Sequence, residues 1–475
     1  MRLFFNFFLM KTFLTKNIEQ QLLFEPTLQQ HELILSLADF LLSPNDSIFL
    51  LKGFAGTGKT SVVSALIKAL HELKQNVVLL APTGRAAKVL SSYSGFPAFT
   101  IHKKIYRQLV VGDEMSAFSL GVNMHKHTLF IVDEASMIAT STERNFGSGD
   151  LLGDLISFVY GGEGCRLLMI GDVAQLPPVG QEYSPALDNL FVAGYGFSVC
   201  DFLLTEVFRQ AEDSGILKNA TYLRTLLTNE QWGEFPKLEL NFPDITKVSG
   251  EDLIEELSCA YSRDGYHDTI IVSRSNKRAN VFNNGIRNRI LYREEELSSG
   301  DLLMVVRNNY FWSKSTEGKL DFIANGDVAE VKRIRRTVEL YGFRFADVEL
   351  YFPDYDIELE AKVLLDVLQS DSAALNSADS NRLFLAVQED YLDVRNKRER
   401  LKKMREDPFL NALQVKFAYS VTCHKAQGGQ WKNVFIDKGY VTDEMVDVEY
   451  LRWLYTAVTR ASERLYLINW ETSNE

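Results

Sequence analysis

Cysteine and long apolar runs are both scarce in this sequence, and each scarcity excludes a class of protein. The 475 residues include four cysteines, Cys165, Cys200, Cys259 and Cys423, which lie too far apart to form a local C-x-x-C metal or redox pair. We therefore expect a reduced, cytoplasmic protein. No run approaches the roughly 20 apolar residues of a membrane span, which argues against a membrane protein.

Excess positive charge is also missing. The chain has 51 Lys and Arg against 63 Asp and Glu, a formal net charge of −12. Because sequence-independent nucleic-acid binding depends on Lys and Arg neutralising phosphates, this balance excludes a protein that coats nucleic acid by bulk charge, although it leaves room for a local basic groove. The globular composition, 46% hydrophobic and 24% charged, excludes disordered and fibrous classes. The length suggests about three domains.

The first nine residues imitate a signal peptide. Their apolar run is short, Asn6 interrupts it, and no small-residue cleavage site follows. We therefore expect no secretion, and Met10 is an alternative start that would leave residues 1–9 outside the protein.

Strand-like apolar runs alternate with helical stretches along most of the chain. An amphipathic helix is predicted over 28–42. Buried strands are predicted at 47–51, 77–80, 129–132, 167–170, 269–272 and 434–436. This alternation is typical of parallel α/β units, and it occurs twice.

Residues 300–412 have a different pattern. Short strands separated by turns are predicted at 301–306, 326–334, 343–352 and 357–363, as in a small barrel. A charged helix is predicted over roughly 380–405. We infer a β-rich insertion in the second α/β unit.

A phosphate-binding loop follows the first predicted strand. Residues 53–60 match G-x-x-x-x-G-K-T before a predicted helix, so that the loop N–H groups and the helix N-terminus form an anion-binding nest. Lys59 is expected to reach the terminal phosphates and Thr60 to hold Mg²⁺. The predicted nucleotide contacts are Gly53, Gly56, Thr57, Gly58, Lys59, Thr60 and Ser61.

Polar side chains end two further strands. Asp133 and Glu134 follow the strand 129–132, and at such an edge Asp133 is expected to hold Mg²⁺ while Glu134 orients and deprotonates the attacking water. Gln175 follows the strand 167–170. Its amide is a candidate sensor of the γ-phosphate or of the attacking water.

The motifs along the chain, taken in order, resemble those of superfamily 1 helicases of the RecD/Dda-like branch. The resemblance covers about residues 24–470. Segments similar to motifs Ia, Ib, II, III, IV, V and VI stand at 81–87, 100–102, 133–137, 171–180, 204–210, 421–429 and 454–461.

This resemblance implies an α/β fold: two RecA-like P-loop domains in tandem, a small hairpin insertion called the pin, and an SH3-like β-barrel insertion. The implied first domain is 1–212, with the pin at 103–127. The implied second domain is 213–299 with 413–475, and the barrel with a basic helix occupies 300–412.

The resemblance also adds residues to the nucleotide site. Arg209 and Arg460 are expected to contact the γ-phosphate, and an arginine supplied from outside the phosphate-loop domain is worth roughly 10³–10⁵ in rate. Such arginines reach the site only when the cleft closes, which couples hydrolysis to domain motion. Gln30, which fits the Q-motif better than Gln29, is expected to bind adenine and so to select ATP. Gly428 is expected at the nucleotide.

A track for single-stranded DNA is expected in loops that follow strands, where polar groups hold the backbone and aromatic rings stack on bases. Phe96 and Phe99 could equally be core residues. The candidates of the first unit are Pro82, Thr83, Arg85, Phe96, Phe99, Thr100, His102 and Lys103. Those of the second unit are Ser273, Arg274, Asn276, Thr422, His424 and Lys425.

Residues 103–127 predict either a hairpin, with strands 105–111 and 117–124, or a plain surface loop. The resemblance implies that a hairpin here separates the strands of a duplex, but this version is short and has no obvious aromatic tip.

Seven basic residues within 395–405 either meet phosphates or form a solvated face.

Three functions stay open: an ATP-dependent DNA helicase with the 5′→3′ polarity of the resembled branch, a single-stranded DNA translocase that displaces proteins with little unwinding, and a nucleotide-gated DNA repair or recombination scaffold. A scaffold has no need of Lys59, Glu134, Gln175 and Arg460 together, and no second carboxylate cluster points to a nuclease. The expected cofactors are ATP and Mg²⁺. The expected partners are single-stranded, duplex and forked DNA, without a membrane; the chain is expected to be a monomer that meets repair or replication proteins.

Overall fold

Two parallel sheets and one closed barrel form the framework of the chain. The computed structural model describes residues 2–43, 46–108, 118–140, 148–207, 213–313, 320 and 322–470. This arrangement confirms the predicted fold class of two α/β units with a barrel insertion.

The first sheet and the helices packed on it are called the first lobe. Its helices are α1 (Arg2–Gln20), α2 (Leu28–Leu42), α3 (Lys59–Glu72), α4 (Gly84–Ser94), α5 (Ile101–Ile105), α6 (Leu151–Tyr160) and α7 (Asn189–Ala193). Its strands are β1 (Ser47–Gly53), β2 (Asn76–Ala81), β3 (Ala98–Thr100), β4 (Tyr106–Gln108), β5 (Phe118–Leu120), β6 (Thr128–Val132), β7 (Arg166–Gly171) and β8 (Ser198–Leu204).

Six of these strands form a parallel sheet in the order β3-β2-β6-β7-β1-β8. Every residue of β6 is buried, and β7 is buried after its first residue, as expected for central strands covered by helices on both faces. Because the strands are parallel, the loops after β1, β6 and β7 emerge at one edge. That edge carries the phosphate loop, the Asp133–Glu134 pair and the Gln175 loop.

The N-terminal helix α1 packs on α2 and α3. Leu14 and Ile18 are its buried anchors. Among the residues that the structure describes, no helix has both the length and the apolar character needed to cross a membrane.

The remaining elements continue along the chain. Next come α8 (Gly215–Thr228), β9 (Ile245–Val248), α9 (Leu253–Asp264), β10 (Thr269–Ser273) and α10 (Asn276–Arg289). They are followed by β11 (Leu302–Val305), β12 (Val328–Leu340), β13 (Phe343–Phe352), β14 (Ile357–Leu364), α11 (Ser377–Glu389), α12 (Lys397–Arg405) and β15 (Leu413–Phe417). The last are β16 (Ser420–Thr422), α13 (Cys423–Ala426), β17 (Trp431–Asp437), α14 (Val448–Val458) and β18 (Ala461–Ile468).

The second sheet is parallel in the order β16-β10-β17-β18-β9, and with its helices it forms the second lobe. Strands β11 to β15 close the barrel. The predicted barrel boundary at residue 412 falls short, because β15 pairs with β11 at Leu303 and Phe417 and so belongs to the barrel.

The predicted helix over 380–405 is also corrected, since α11 and α12 are two helices. Between them, the Tyr391 hydroxyl donates a hydrogen bond of 2.9 Å to Asp407 Oδ2, which ties the connecting segment to the residues after α12.

The stem of the predicted pin is present. Strands β4 and β5 pair antiparallel, with Tyr106 opposite Leu120. The predicted turn lies within 109–117, outside the described residues.

A buried ion cluster attaches the barrel to the second lobe. Asp301, fully buried just before β11, accepts hydrogen bonds from Arg287 Nε and Nη2 at 3.1 and 3.0 Å. Arg293 Nη1 donates to it at 2.9 Å, and the Tyr419 hydroxyl at 3.2 Å. One carboxylate thus holds α10, the barrel entry and the barrel exit together.

We expect Asp301→Ala to lower the free energy of unfolding by about 3–5 kcal/mol, because it leaves the buried Arg287 without its counter-charge. Urea denaturation followed by circular dichroism would measure the loss. The matched control is Glu163→Ala, since Glu163 and Lys126 form an exposed pair worth about 0.2–1 kcal/mol. Equal destabilisation by the two variants would contradict the anchoring role of Asp301.

Candidate functional site

A cavity of about 730 Å³ lies between the lobes. The first lobe lines it with the phosphate loop, the loop after β6 and the loop after β7, and the second lobe with the residues after α14. The predicted site residues that line it are Gly56, Gly58, Lys59, Thr60, Asp133, Glu134, Gln175 and Arg460. The fold therefore brings to one place groups that lie far apart in the sequence.

The phosphate loop depends on two residues with positive φ, Gly56 at +77° and Gly58 at +79°, which glycine adopts without the steric cost of a Cβ atom. Lys59 Nζ donates to the carbonyls of Gly53 and Phe54, both at 2.7 Å. Burial lowers the pKa of Lys59, and the nearby acidic groups oppose that shift. The ammonium is therefore held at the loop carbonyls, where a bound phosphate would compete with these carbonyls for its hydrogen bonds.

Three predicted phosphate-loop contacts, Gly53, Thr57 and Ser61, lie outside the cavity lining. The Thr57 hydroxyl is buried and donates to Phe54 O at 2.8 Å, so this side chain braces the loop from inside. Ser61 is half-buried on α3.

Asp133 and Glu134 form the acidic wall of the cavity. Asp133 Oδ2 accepts from the Tyr93 hydroxyl and Oδ1 from Glu134 N, each at 2.8 Å. Burial raises the pKa of both carboxyls, that of Glu134 to about 7, while the charge of Arg460 opposes the shift at Glu134. Asp133 and Thr60 face the same cavity, and carboxylate and hydroxyl oxygens are donors that suit Mg²⁺.

Arg460 enters this cavity from the second lobe. The residue is 3% exposed, and its guanidinium donates to Thr456 O, Gly429 O and Thr459 Oγ1 at 3.1, 3.2 and 3.3 Å. Nη1 also lies 3.8 Å from Glu134 Oε1. Its own lobe therefore orients Arg460 toward the acidic wall. The other predicted arginine, Arg209, lies outside the described residues.

Gln175 lines the site with a buried side chain. The residue is 5% exposed and lines the cavity, and its Oε1 has no hydrogen-bond partner among the described residues. A buried amide oxygen without a partner is costly, so a water or ligand in the cavity would satisfy it.

A hydrogen-bond network across the lobe interface is not predicted by the sequence. The Tyr455 hydroxyl, on α14, donates to Asp172 Oδ2 at 2.6 Å and accepts from Ala55 N in the phosphate loop at 2.9 Å. Beside it, Leu176 N donates to Thr456 Oγ1 at 2.9 Å. Asp172 and Tyr455 lie inside motifs III and VI, but nothing in the sequence indicates that they pair with each other.

The glutamine predicted to bind adenine has a different position. Gln30 is 1% exposed and outside the cavity lining; its Oε1 accepts from Thr27 N at 3.1 Å and its Nε2 donates to Thr57 O at 3.2 Å. Gln29 binds Thr205 instead. Gln30 therefore supports the phosphate loop from behind, and its contact with adenine stays a prediction.

Gly428 also lies away from the cavity lining. A Cβ atom there would approach Ala86 Cβ on α4 to 2.8 Å, so this glycine allows the second lobe to approach α4 closely. Gln430, two residues later, lines the cavity.

The DNA-track candidates of the first lobe gather around the starts of α4 and α5. Thr83 and Thr100 are helix caps, accepting from Ala86 N and Lys103 N at 3.2 Å. The Arg85 guanidinium lies 3.9 Å above the Trp431 ring of the second lobe.

Near α5, the Phe99 ring has Lys103 Nζ at 5.9 Å. Burial lowers the pKa of His102 to about 4, so this imidazole is neutral at pH 7. Pro82 is half-buried directly after β2.

One candidate is corrected. Ser273 is fully buried and its hydroxyl donates to Ser275 O and Val421 O at 3.3 and 3.4 Å, so this side chain is not available to DNA. Phe96 is partly buried against the hydrophobic cluster around α2 and α3, with its ring 4.6 Å from that of His71, and its contact with DNA stays a prediction.

The other candidates of the second lobe lie near the barrel. Asn276, Thr422 and Lys425 line one small cavity between α10, β16 and the barrel. Burial lowers the pKa of Lys425 to about 8, and its ammonium donates to Asn325 in the barrel. Arg274 is exposed, with its guanidinium 5.1 Å above the Tyr450 ring, and His424 is half-buried.

Known proteins match both lobes. Residues 30–229 match the family described as an AAA domain, and residues 417–468 match the family described as a UvrD-like helicase C-terminal domain. These two matches fall on the two parallel sheets.

Three curated relatives are similar to this chain. An uncharacterised protein, R530, of Acanthamoeba polyphaga mimivirus is 24% identical and covers 90% of this chain and 97% of its own. The ATP-dependent DNA helicase dda of Enterobacteria phage T4 is 27% identical over 57% of this chain and 58% of its own. The ATP-dependent RecD2 DNA helicase of Deinococcus radiodurans is 31% identical over 43% of this chain, which spans a quarter (25%) of that protein.

The matches agree with the order of motifs and with the cavity that those motifs build. The phosphate loop and the acidic pair belong to the AAA match, and Arg460 belongs to the UvrD-like match. In both matched segments and in the order of its motifs, the chain is similar to superfamily 1 helicases of the branch that includes the RecD and Dda proteins.

Proposed function

We propose that this chain is an ATP-dependent DNA helicase that moves along single-stranded DNA in the 5′→3′ direction and unwinds duplex DNA. The observation that carries the proposal is the interlobe cavity, where Lys59, Asp133 and Glu134 of the first lobe face Arg460 of the second. Two similar proteins are named as ATP-dependent DNA helicases. The polarity rests on the resemblance to their branch.

In this proposal the chain positions ATP for attack by water. Lys59 and the loop N–H groups bind the phosphates, and Thr60 with Asp133 would hold Mg²⁺. A bound Mg²⁺ would offset charge on the phosphate oxygens. Glu134 accepts the proton of the attacking water, and its pKa near 7 suits a general base at neutral pH.

The second lobe completes the site. Arg460 stabilises charge on the γ-phosphate oxygens, and Arg209 is proposed to do the same from the first unit. Gln175 binds the attacking water or the γ-phosphate through the polar atoms of its side chain. Since Tyr455 joins the phosphate loop to Asp172, a change at the γ-phosphate alters contacts that span both lobes.

Single-stranded DNA is proposed to lie across the starts of α4 and α5, continue past Arg274, and reach the region of Lys425 beside the barrel. The paired stem of β4 and β5 is positioned beside α5 and supports the unwinding function. A translocase that displaces proteins with little unwinding is the second candidate, because the part of the stem that the structure describes pairs over three residues on each side. We further propose that the chain acts as a cytoplasmic monomer, with partners in DNA repair or replication.

Lys59→Ala is expected to reduce DNA-stimulated ATP hydrolysis to background, because no other described ammonium reaches the loop carbonyls. Phosphate release with and without single-stranded DNA would measure it. Lys68→Ala, on α3 but outside the cavity lining, is the matched control. Unchanged turnover in the Lys59 variant would refute the proposed site.

Arg460→Ala is expected to lower kcat by roughly 10³-fold or more, with a much smaller effect on ATP affinity, since an arginine finger acts mainly on the transition state. Steady-state kinetics and titration with a fluorescent ATP analogue would separate the two effects. Arg464→Ala, which removes a partly exposed partner of Asp264, is the control. A pure loss of affinity would count against the finger role.

Polarity and unwinding can be tested together with labelled duplexes that carry a single-stranded tail. We expect displacement from a 5′-tailed duplex and none from a 3′-tailed one. Displacement from the 3′-tailed substrate alone would reverse the polarity. ATP-driven removal of streptavidin from a biotinylated strand without duplex separation would favour the translocase.

A further inference from the structure

Helix α4 connects the proposed DNA track to the proposed magnesium ligand. Its 11 residues begin at Gly84, next to the candidate Thr83, and end beside the nucleotide cavity. At about 1.5 Å per residue the helix is roughly 16 Å long. The same rigid element therefore contacts both proposed binding sites.

The start of α4 is held by the parts of the molecule that would surround DNA. A Cβ atom on Gly84 would come within 2.3 Å of the Tyr355 hydroxyl of the barrel, so the barrel touches the helix backbone there. Lys88 Nζ forms an ion pair with Asp354 of the barrel at 2.8 Å. Arg85 stacks on Trp431 of the second lobe at 3.9 Å. A displacement of the barrel or the second lobe is therefore transmitted to this end of α4.

The end of α4 meets the catalytic carboxylate. The Tyr93 hydroxyl donates to Asp133 Oδ2 at 2.8 Å, and its ring lines the nucleotide cavity. The Tyr93 carbonyl accepts from Ser64 Oγ on α3, the helix that follows the phosphate loop, at 3.0 Å. Tyr93 thus contacts both the proposed magnesium ligand Asp133 and the helix that follows the phosphate loop.

We infer that Tyr93 is a positioning residue through which DNA bound at the start of α4 orients Asp133 and so stimulates ATP hydrolysis. The inference rests on the proposed function and deepens it. A helix moves as a rigid body over this length, so a small shift at Gly84 becomes a shift of the Tyr93 hydroxyl. Asp133 Oδ1 already accepts a hydrogen bond from the backbone N–H of Glu134. The Tyr93 hydroxyl, which donates to Oδ2, therefore determines the position of the other carboxylate oxygen.

The test is Tyr93→Phe, which removes the hydroxyl and leaves the ring in place. The matched control is Tyr195→Phe, since the Tyr195 hydroxyl also donates to a carboxylate of the first lobe, Asp150 Oδ2 at 2.7 Å, outside the cavity lining. Both variants lose one tyrosine–carboxylate hydrogen bond, so they are expected to lose similar stability.

Two measurements are compared with the wild type. The first is kcat for ATP hydrolysis with and without saturating single-stranded oligonucleotide. The second uses no turnover: the affinity for a labelled oligonucleotide with and without Mg²⁺ and a non-hydrolysable ATP analogue. By linkage, any coupling between the binding affinities of the two sites must appear in this affinity ratio.

We expect Tyr93→Phe to reduce the DNA stimulation of kcat by roughly 3- to 10-fold, within the range for the net contribution of a typical intramolecular hydrogen bond, with KM for ATP changed less than about twofold. The nucleotide-dependent change in DNA affinity should shrink too, and Tyr195→Phe should match the wild type in both measurements. Equal loss of kcat with and without DNA, an equal effect of Tyr195→Phe, or wild-type coupling in the Tyr93 variant would each overturn the inference. If wild-type ATP hydrolysis itself ignores DNA, the proposed function fails and the inference with it.

Discussion

Buried charge between the lobes is the constraint on which the rest of this structure depends. Lys59, Asp133, Glu134 and Asp172 of the first lobe and Arg460 of the second interact electrostatically in one cleft. Charges removed from water are costly unless they are paired. Neither lobe alone balances these groups, since the first contributes three carboxylates and one ammonium. Arg460 of the second lobe therefore lowers the uncompensated negative charge of the cleft when the lobes meet.

The lobe interface turns this requirement into a mechanical connection. The Tyr455 hydroxyl belongs to α14 but bonds both the phosphate loop and Asp172, and Thr456 holds the backbone of the Gln175 loop at Leu176. A change in the phosphates of a bound nucleotide would alter contacts on each side of the interface. This geometry gives a physical basis for coupling hydrolysis to motion between lobes.

Prediction from the sequence works best where the chemistry is local. A strand, a glycine-rich turn and a helix N-terminus are contiguous in the chain, so the residue pattern alone identifies the phosphate loop. The strand before Asp133 is buried as its apolar residues indicate. The short strands of the barrel are also predicted, but its fifth strand falls beyond the predicted boundary, because only pairing between β11 and β15 shows that it closes the barrel.

Prediction works less well where side chains choose between core and surface. Phe96 and Ser273 lie close to the helicase motifs. The Phe96 ring packs beside that of His71, and the Ser273 hydroxyl donates to Val421 O in β16. Gln30 sits in its predicted helix but bonds Thr57 O behind the loop. Sequence spacing does not encode which way such a side chain turns, since that depends on neighbours distant in the chain.

The sequence by itself determined the strands and helices of the two α/β units, the phosphate loop, the acidic pair and the arginine of motif VI, because each of these lies in a short contiguous segment with its own periodicity or chemistry. Only the tertiary structure decided how these segments meet. The pairing of Tyr455 with Asp172, of Tyr93 with Asp133 and of Lys88 with Asp354 joins residues 40 to 283 positions apart. Such contacts follow from the packing of whole helices and sheets, which no local pattern specifies.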